Sequence, residues 1–280
     1  MKPAEPCLSP AELSRLCEFL YRRTGMLFGE SKRYYIDRRV ADRIGATKSR
    51  SFPAYFALLL SQPMEAELLI NSFTVNETYF LREEHQLRCL SQSLLPDIVQ
   101  RKQPGDRIRI WSFPCSTGEE PYSIAIWLLE KWRLVDAYNV EIIGSDIDTA
   151  VLRHAQVGEY GHRALSRLST GMRDAYFHKV DAERWQLIDD LRESVTFRTA
   201  NLIDQASVAA EGRFDVIFCR NVLIYFDDAA RAQAVDLLYD ALLPGGYICL
   251  GHTESMGRIS DRFKAVRFAD AVVYKRPEES

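Results

Sequence analysis

Apolar positions recur at helical spacing from the start of the chain. Leu13, Leu16, Cys17 and Leu20 form one stripe. Ser9-Pro10-Ala11-Glu12 stands before it as a capping box: the Ser9 hydroxyl can accept the Glu12 amide while the Glu12 carboxylate reaches back. Pro10 falls at the first helical position, where a missing N–H does no harm, and Gly25 offers a stop. Ile36, Val40 and Ile44 mark a second helix ending near Gly45. Ser51 opens a third with Phe52, Tyr55, Phe56 and Leu59, and Glu65 to Phe73 reads as a fourth. Nothing up to Phe73 alternates like a strand. The reading is a small all-helical domain over 1–75, then a linker and helix over 76–104.

After Pro104-Gly105 the pattern changes. Arg107–Phe113, Val140–Gly144, Phe214–Cys219 and Gly246–Leu250 are short apolar runs of strand length, separated by helical patterns at Glu119–Trp132, Thr149–His154 and Asp227–Leu243. The last helix is expected to close at Pro244-Gly245-Gly246. Strands alternating with helices predict an α/β domain over 105–280, a doubly wound, Rossmann-like parallel sheet with right-handed crossovers. Phe263–Phe268 and Ala271–Lys275 read as an edge hairpin. The polar stretch of about 157–198 breaks the alternation and reads as an insertion with its own small structure.

Composition narrows the class. The 280 residues carry 36 Lys and Arg against 39 Asp and Glu, a net of −3. That balance excludes a disordered polyelectrolyte and gives no overall basic footprint for nucleic acid. No apolar run approaches the roughly 18 residues of a membrane span. Met1 to Pro10 has no signal-peptide apolar region. Six cysteines (Cys7, Cys17, Cys89, Cys115, Cys219, Cys249) are scattered without metal-ligand spacing, which suits reduced thiols and no metal site. The expectation is a soluble cytoplasmic protein.

Candidate chemistry lies at the carboxyl ends of the strands. The first strand runs into Cys115-Ser116-Thr117-Gly118-Glu119-Glu120-Pro121, which is neither G-x-G-x-x-G nor a P-loop. Glu119 and Glu120 would repel a phosphate there but suit a cationic ligand without one; alternatively they only complement the helix dipole. Asp146 follows the second strand, where such folds hold a ribose, and Asp148 is placed to cap the next helix. Asn221 sits past the strand ending at Cys219, with Tyr225 one turn on.

NETYFLRE (Asn76–Glu83), STGEEPYSIA (Ser116–Ala125), SDID (Ser145–Asp148), NVLIYF (Asn221–Phe226) and LLPGGY (Leu242–Tyr247) together resemble the chemotaxis receptor methyltransferases, the CheR family. The resemblance covers nearly the whole chain. It implies an S-adenosylmethionine-dependent protein-glutamate O-methyltransferase with S-adenosylhomocysteine as product, and a class I methyltransferase domain carrying a small antiparallel β-subdomain. It places Asn76, Thr78, Arg82, Glu119, Asp146, Asn201, Leu202, Arg220 and Asn221 at the cofactor. Arg82 would lie near the methionyl carboxylate. Thr78 could instead be a helix cap, and Arg220 a surface cation. Tyr225 matches the tyrosine beside the transferred methyl and would position the acceptor, with Asn221 at the reacting end. A glutamate is already an anion at pH 7, so none of His85, His154, His162, His178 and His252 is needed as a base.

The implied partner is the helical bundle of a chemoreceptor cytoplasmic domain, acidic around the methylated glutamates. Between Leu20 and Arg50 nine cations face three acids, a local net of +6 that leaves −9 on the rest of the chain. Arg22, Arg23, Lys32, Arg33, Arg38, Arg39 and Arg43 are therefore the candidate docking residues. Some relatives grip a C-terminal pentapeptide tether through a glycine-containing loop of the β-subdomain. Here no glycine lies between Gly171 and Gly212, so weak or no tether binding is expected. The remaining expectations are a monomer recruited to receptor arrays, without nucleic acid or membrane insertion. Other readings are a methyltransferase of a non-chemotaxis chemosensory pathway, a small-molecule methyltransferase, and a non-catalytic cofactor-binding module.

Overall fold

In the computed structural model, residues 8–278 are described, and Cys7 lies outside them. The capping box forms: the Ser9 hydroxyl accepts the Glu12 amide at 3.3 Å and the Glu12 carboxylate accepts the Ser9 amide at 2.8 Å. Helix α1 (Pro10–Thr24) follows and stops at Gly25. Helix α2 (Arg33–Thr47) runs two residues past Gly45 and ends on a left-handed Lys48. Ser51 caps α3 (Phe52–Ser61), and α4 (Pro63–Phe73) begins before Glu65 because Pro63 takes the first turn. Leu16, Leu20, Ile36, Tyr55, Leu59 and Leu69 close one core among these four helices.

The chain then crosses without regular structure from Thr74 to Tyr79. Helices α5 (Glu84–Cys89) and α6 (Leu95–Val99) are joined by a π-helical turn, Leu90–Leu94. The sheet domain opens with β1 (Arg107–Ser112), α7 (Glu119–Lys131), β2 (Asn139–Asp146) and α8 (Thr149–Val157). The insertion holds β3 (Glu159–Gly161), α9 (Thr170–Tyr176), β4 (Phe177–Lys179), β5 (Arg184–Leu187) and α10 (Asp189–Ser194); its three strands form a separate antiparallel sheet, β3-β5-β4. Then come β6 (Val195–Thr199), α11 (Gln205–Ala210), β7 (Phe214–Cys219), α12 (Asp228–Ala241), β8 (Leu242–Leu250), β9 (Lys264–Arg267) and β10 (Val272–Lys275).

The large sheet has the order β6-β2-β1-β7-β8-β10-β9. Its first five strands are parallel, and β10 and β9 form the expected antiparallel edge hairpin. Two expectations need correction. The insertion does not extend to 198, because Val195–Thr199 pairs in parallel with β2 and belongs to the main sheet. Pro244-Gly245-Gly246 does not close α12 either. The helix ends at Ala241, and these residues lie in β8, at a register break opposite Phe214–Val216. Ile110, Ile142, Val216, Phe218 and Cys249 face one core, under α7 and the α5–α6 region, while Trp111, Ile143, Ile217 and Ile248 face the other, under α12. Among the described residues no helix is long and apolar enough to cross a membrane.

Candidate active site

Strand order reverses between β1 and β7, and a crevice opens at their carboxyl ends. A cleft lies there, walled by Asn76, Arg82, Ser116, Glu120, Asp146 and Arg220. Three strand ends and the linker build its wall. Backbone strain gathers in it: of five non-glycine residues with positive φ among the described residues, Leu81, Glu83, Ser116 and Asn221 lie in the linker and the two strand-end turns. Gly118 makes the turn after β1 possible, with φ +92° and a would-be Cβ only 2.8 Å from Ala155 Cβ.

Asp146 ends β2 with its carboxylate buried. Oδ2 accepts the Ser116 amide at 2.8 Å and Oδ1 the Asp148 amide at 2.9 Å. Burial pushes its pKa up to about 6, against the lowering effect of those amides. Asp148 caps α8 through Ala150 and Val151 and also holds the linker, accepting Thr74 Oγ1 at 2.6 Å and Asn76 Nδ2 at 3.1 Å. Asn76, Thr78 and Arg82 all line the cleft. Thr78 is no helix cap, since α5 begins six residues later.

Arg220 is not a surface cation, because 6% of it is exposed. It lines the cleft, donates to Glu120 Oε2 at 2.7 Å and to the Arg82 carbonyl at 2.8 Å, and lies 3.4 Å from Glu83. The linker is thereby tied to the end of β7. Burial raises Glu120 above the ordinary carboxylate range, partly offset by Arg220 and the Ser112 hydroxyl. Burial also pushes Glu83 up, but Arg220 and His252 together hold it below its ordinary value. Asn221 and Tyr225 complete the wall; burial pushes the Tyr225 phenol up, with nearby Arg82 opposing. The phenol therefore remains a hydroxyl donor at neutral pH.

Three expected cofactor residues do not line this cleft. Glu119 is buried at the start of α7 and accepts the Thr117 hydroxyl at 2.6 Å; its neighbour Glu120 lines the cleft instead. Asn201 lines an adjoining depression and donates to the Arg23 carbonyl, and Leu202 packs in the core under α12. Ile147 borders both depressions. Glu254 was missed entirely: its carboxylate accepts four backbone amides around Asn221.

The basic segment is divided by the fold. Arg22, Arg23, Lys32 and Arg38 are exposed. Arg33 pairs with Glu30 and Asp37 and bonds the Leu8 carbonyl, and Arg39 stacks on Tyr35 at 4.8 Å. Arg43 is held by both oxygens of the buried Glu65, at 2.9 and 2.6 Å. The charge run therefore overstates the docking face.

The wall suits a cationic amino-acid ligand with hydroxyls and no phosphate. It offers carboxylates at Asp146 and Glu120, a guanidinium at Arg82, and the Arg220 Nε, which is buried without a hydrogen-bond partner. An ionised Asp146 accepts hydroxyls better than a protonated one. Binding of S-adenosylhomocysteine is therefore expected to weaken about tenfold as pH falls from 7.5 to 5, and Asp146→Asn should flatten that profile. Calorimetry across this range is the check; an unchanged profile in the variant would remove Asp146 from the ligand. The same shift has a stability counterpart. With its folded value above the ordinary 3.8, Asp146 favours the unliganded fold in acid, and that contribution is lost as pH rises through about 6.

Comparison with known proteins places the chain. The CheR methyltransferase, SAM binding domain, matches residues 76–272, and the CheR methyltransferase, all-alpha domain, matches 11–74. Chemotaxis protein methyltransferase 2 of Vibrio cholerae is 46% identical over 277 residues, 98% of this chain and 96% of that protein. Chemotaxis protein methyltransferase 2 of Pseudomonas aeruginosa is 36% identical, covering 91% of this chain and 90% of its own length. The chemotaxis protein methyltransferase of Vibrio parahaemolyticus is 33% identical over 96% and 98%.

Proposed function

The chain belongs to the CheR methyltransferase family and binds S-adenosylmethionine, and from that premise we propose that it methylates the side-chain carboxylates of glutamates in chemoreceptor cytoplasmic bundles. The products are glutamate methyl esters. The enzyme acts as a monomer at receptor arrays, without a pentapeptide tether and without nucleic acid. When bound, S-adenosylmethionine supplies a methyl group on a cationic sulfur.

The observation that carries this reading is the meeting of two depressions at Tyr225. A small groove lined by Phe28, Lys32, Tyr35, Phe73, Val75 and Tyr225 adjoins the cleft through Val75 and Tyr225. Its walls are aromatic and aliphatic apart from the Tyr35 and Tyr225 hydroxyls and Lys32, whose Nζ stands 5.6 Å from the Tyr225 ring centre. Aromatic walls suit the methylene stem of a glutamate, and the lysine suits its carboxylate.

The residues have correspondingly modest tasks. Asp146 accepts ribose hydroxyls, Arg82 faces the ligand carboxylate, and the Tyr225 hydroxyl orients the acceptor oxygen. No base is required, and none of the five histidines lines the cleft. Rate enhancement comes from alignment and exclusion of water. Tyr225→Phe is expected to lower kcat about tenfold with little change in S-adenosylhomocysteine affinity; an equal fall in affinity would make Tyr225 a binding residue.

The decisive experiment transfers labelled methyl from S-adenosylmethionine to receptor-containing membranes. Label released by mild base is expected, at equal rates on receptors with and without a C-terminal pentapeptide. Base-stable label would exclude the carboxylate, and label in a small molecule would support an alternative substrate.

A further inference from the structure

The turn after β7 is built around an anion supplied by the chain itself. Glu254 Oε2 accepts the amides of Asn221 at 2.8 Å and Gly251 at 2.9 Å, while Oε1 accepts those of Val222 at 3.0 Å and Leu223 at 2.8 Å. Three consecutive amides turned toward one point form a concave anion site, and Asn221 must adopt φ +60° to make it. The two strand ends meet closely there. A Cβ on Gly251 would lie 2.7 Å from Asn221 Nδ2 and 2.8 Å from Glu254 Oε2, so only glycine fits.

This turn carries three cleft residues: Asn221, Val222 and, two positions after Leu223, Tyr225. Its far side is held by the helical domain, where the Leu27 amide donates to the Tyr225 carbonyl at 2.9 Å and Met26 bridges Phe226. Tyr225 is thus suspended between two backbone attachments, and the one toward the sheet depends on Glu254.

We infer that Glu254 is a positioning residue: its carboxylate fixes the 221–225 turn and, through it, the Tyr225 hydroxyl against the acceptor groove. The inference rests on the reading of Tyr225 as the acceptor-orienting group. Glu254 reaches no cleft surface itself and acts through the backbone. A neutral amide in its place keeps the size but turns an NH₂ toward amide donors, so two of the four bonds are lost whichever way it faces.

The test is Glu254→Gln, alone and combined with Tyr225→Phe. Glu254→Gln is expected to lower kcat roughly 10- to 100-fold, because small misplacements of reacting groups have effects of that order, while S-adenosylhomocysteine affinity changes little. The double variant should be no slower than the slower single variant. Multiplying losses, or an unchanged kcat in Glu254→Gln, would overturn the inference. A readout independent of turnover separates this from a failure of the methyl-ester reading. In protein labelled with fluorotyrosine, the Tyr225 signal, assigned by its loss in Tyr225→Phe, should shift or broaden in Glu254→Gln with S-adenosylhomocysteine bound. An unmoved signal would likewise overturn it, even if the protein methylated no receptor.

Discussion

Arg220→Met is expected to destabilise the protein by about 3–5 kcal/mol at neutral pH, the usual consequence of leaving a buried charge without its partner. Glu120 and Glu83 both face this guanidinium, at 2.7 and 3.4 Å, and among the described residues no other cation forms an ion pair with Glu120. The effect should depend on pH in a defined direction. Glu120 titrates above its ordinary value of 4.5 even with Arg220 present, and removing the cation raises it further. A carboxylate raised in the fold favours folding when protonated, and that contribution is lost as pH rises through the raised value. Glu83 moves the same way, losing the part of its depression that Arg220 supplies and keeping the part from His252. The gap between variant and parent is therefore smallest in acid and widens as pH climbs through the values these two carboxylates hold in the parent. Urea unfolding at pH 5 and pH 7.5 measures it. A loss under about 1 kcal/mol, equal at both pH values, would mean that Arg220 does not compensate these carboxylates. Cofactor affinity should fall as well, because the Arg82 carbonyl loses its donor and the linker its tie to β7.

Arg43→Glu is the second large effect, and it concerns folding rather than docking. Glu65 is 6% exposed and receives Arg43 at both oxygens, with Tyr55 Oη at 2.9 Å from Oε1. Reversing the arginine sets two carboxylates against each other beneath α4. The expected loss is again about 3–5 kcal/mol, with receptor methylation falling through loss of the helical domain. The paired variant Arg22→Glu, Arg23→Glu isolates docking. Arg22 meets the exposed Glu18, a contact worth little, and Arg23 lies over the Phe19 ring at 4.8 Å. The paired variant's melting temperature should stay near the parent's, while the KM for receptor rises and becomes less sensitive to salt. A parental melting temperature for Arg43→Glu would return that residue to the docking face.

These two cases mark where reading residues in order stops being enough. A run of nine cations does not say which of them have partners, and Glu65 lies 22 residues from Arg43 on another helix. Glu119 and Glu120 are adjacent in the chain, yet one turns into the interior and the other onto the cleft, a difference set by how α7 is rotated on the sheet. Val195–Thr199 reads as the end of a polar insertion because Thr196, Arg198 and Thr199 are polar. Its place in the main sheet comes from backbone pairing with β2. No spacing links Glu254 to Asn221, 33 positions away; the adjacency of β7 and β8 brings them together.

By itself the sequence determined the helical domain, the alternation that makes the sheet, the capping of α1, α3 and α8, and the family that five ordered motifs identify. Caps and periodicity act within one or two turns, so neighbouring residues decide them. The tertiary structure alone decided which charges are spent internally, which acid lines the cleft, and what holds Tyr225 in place. Those choices follow from desolvation, which forces a buried charge or amide to find a partner only once the elements have packed.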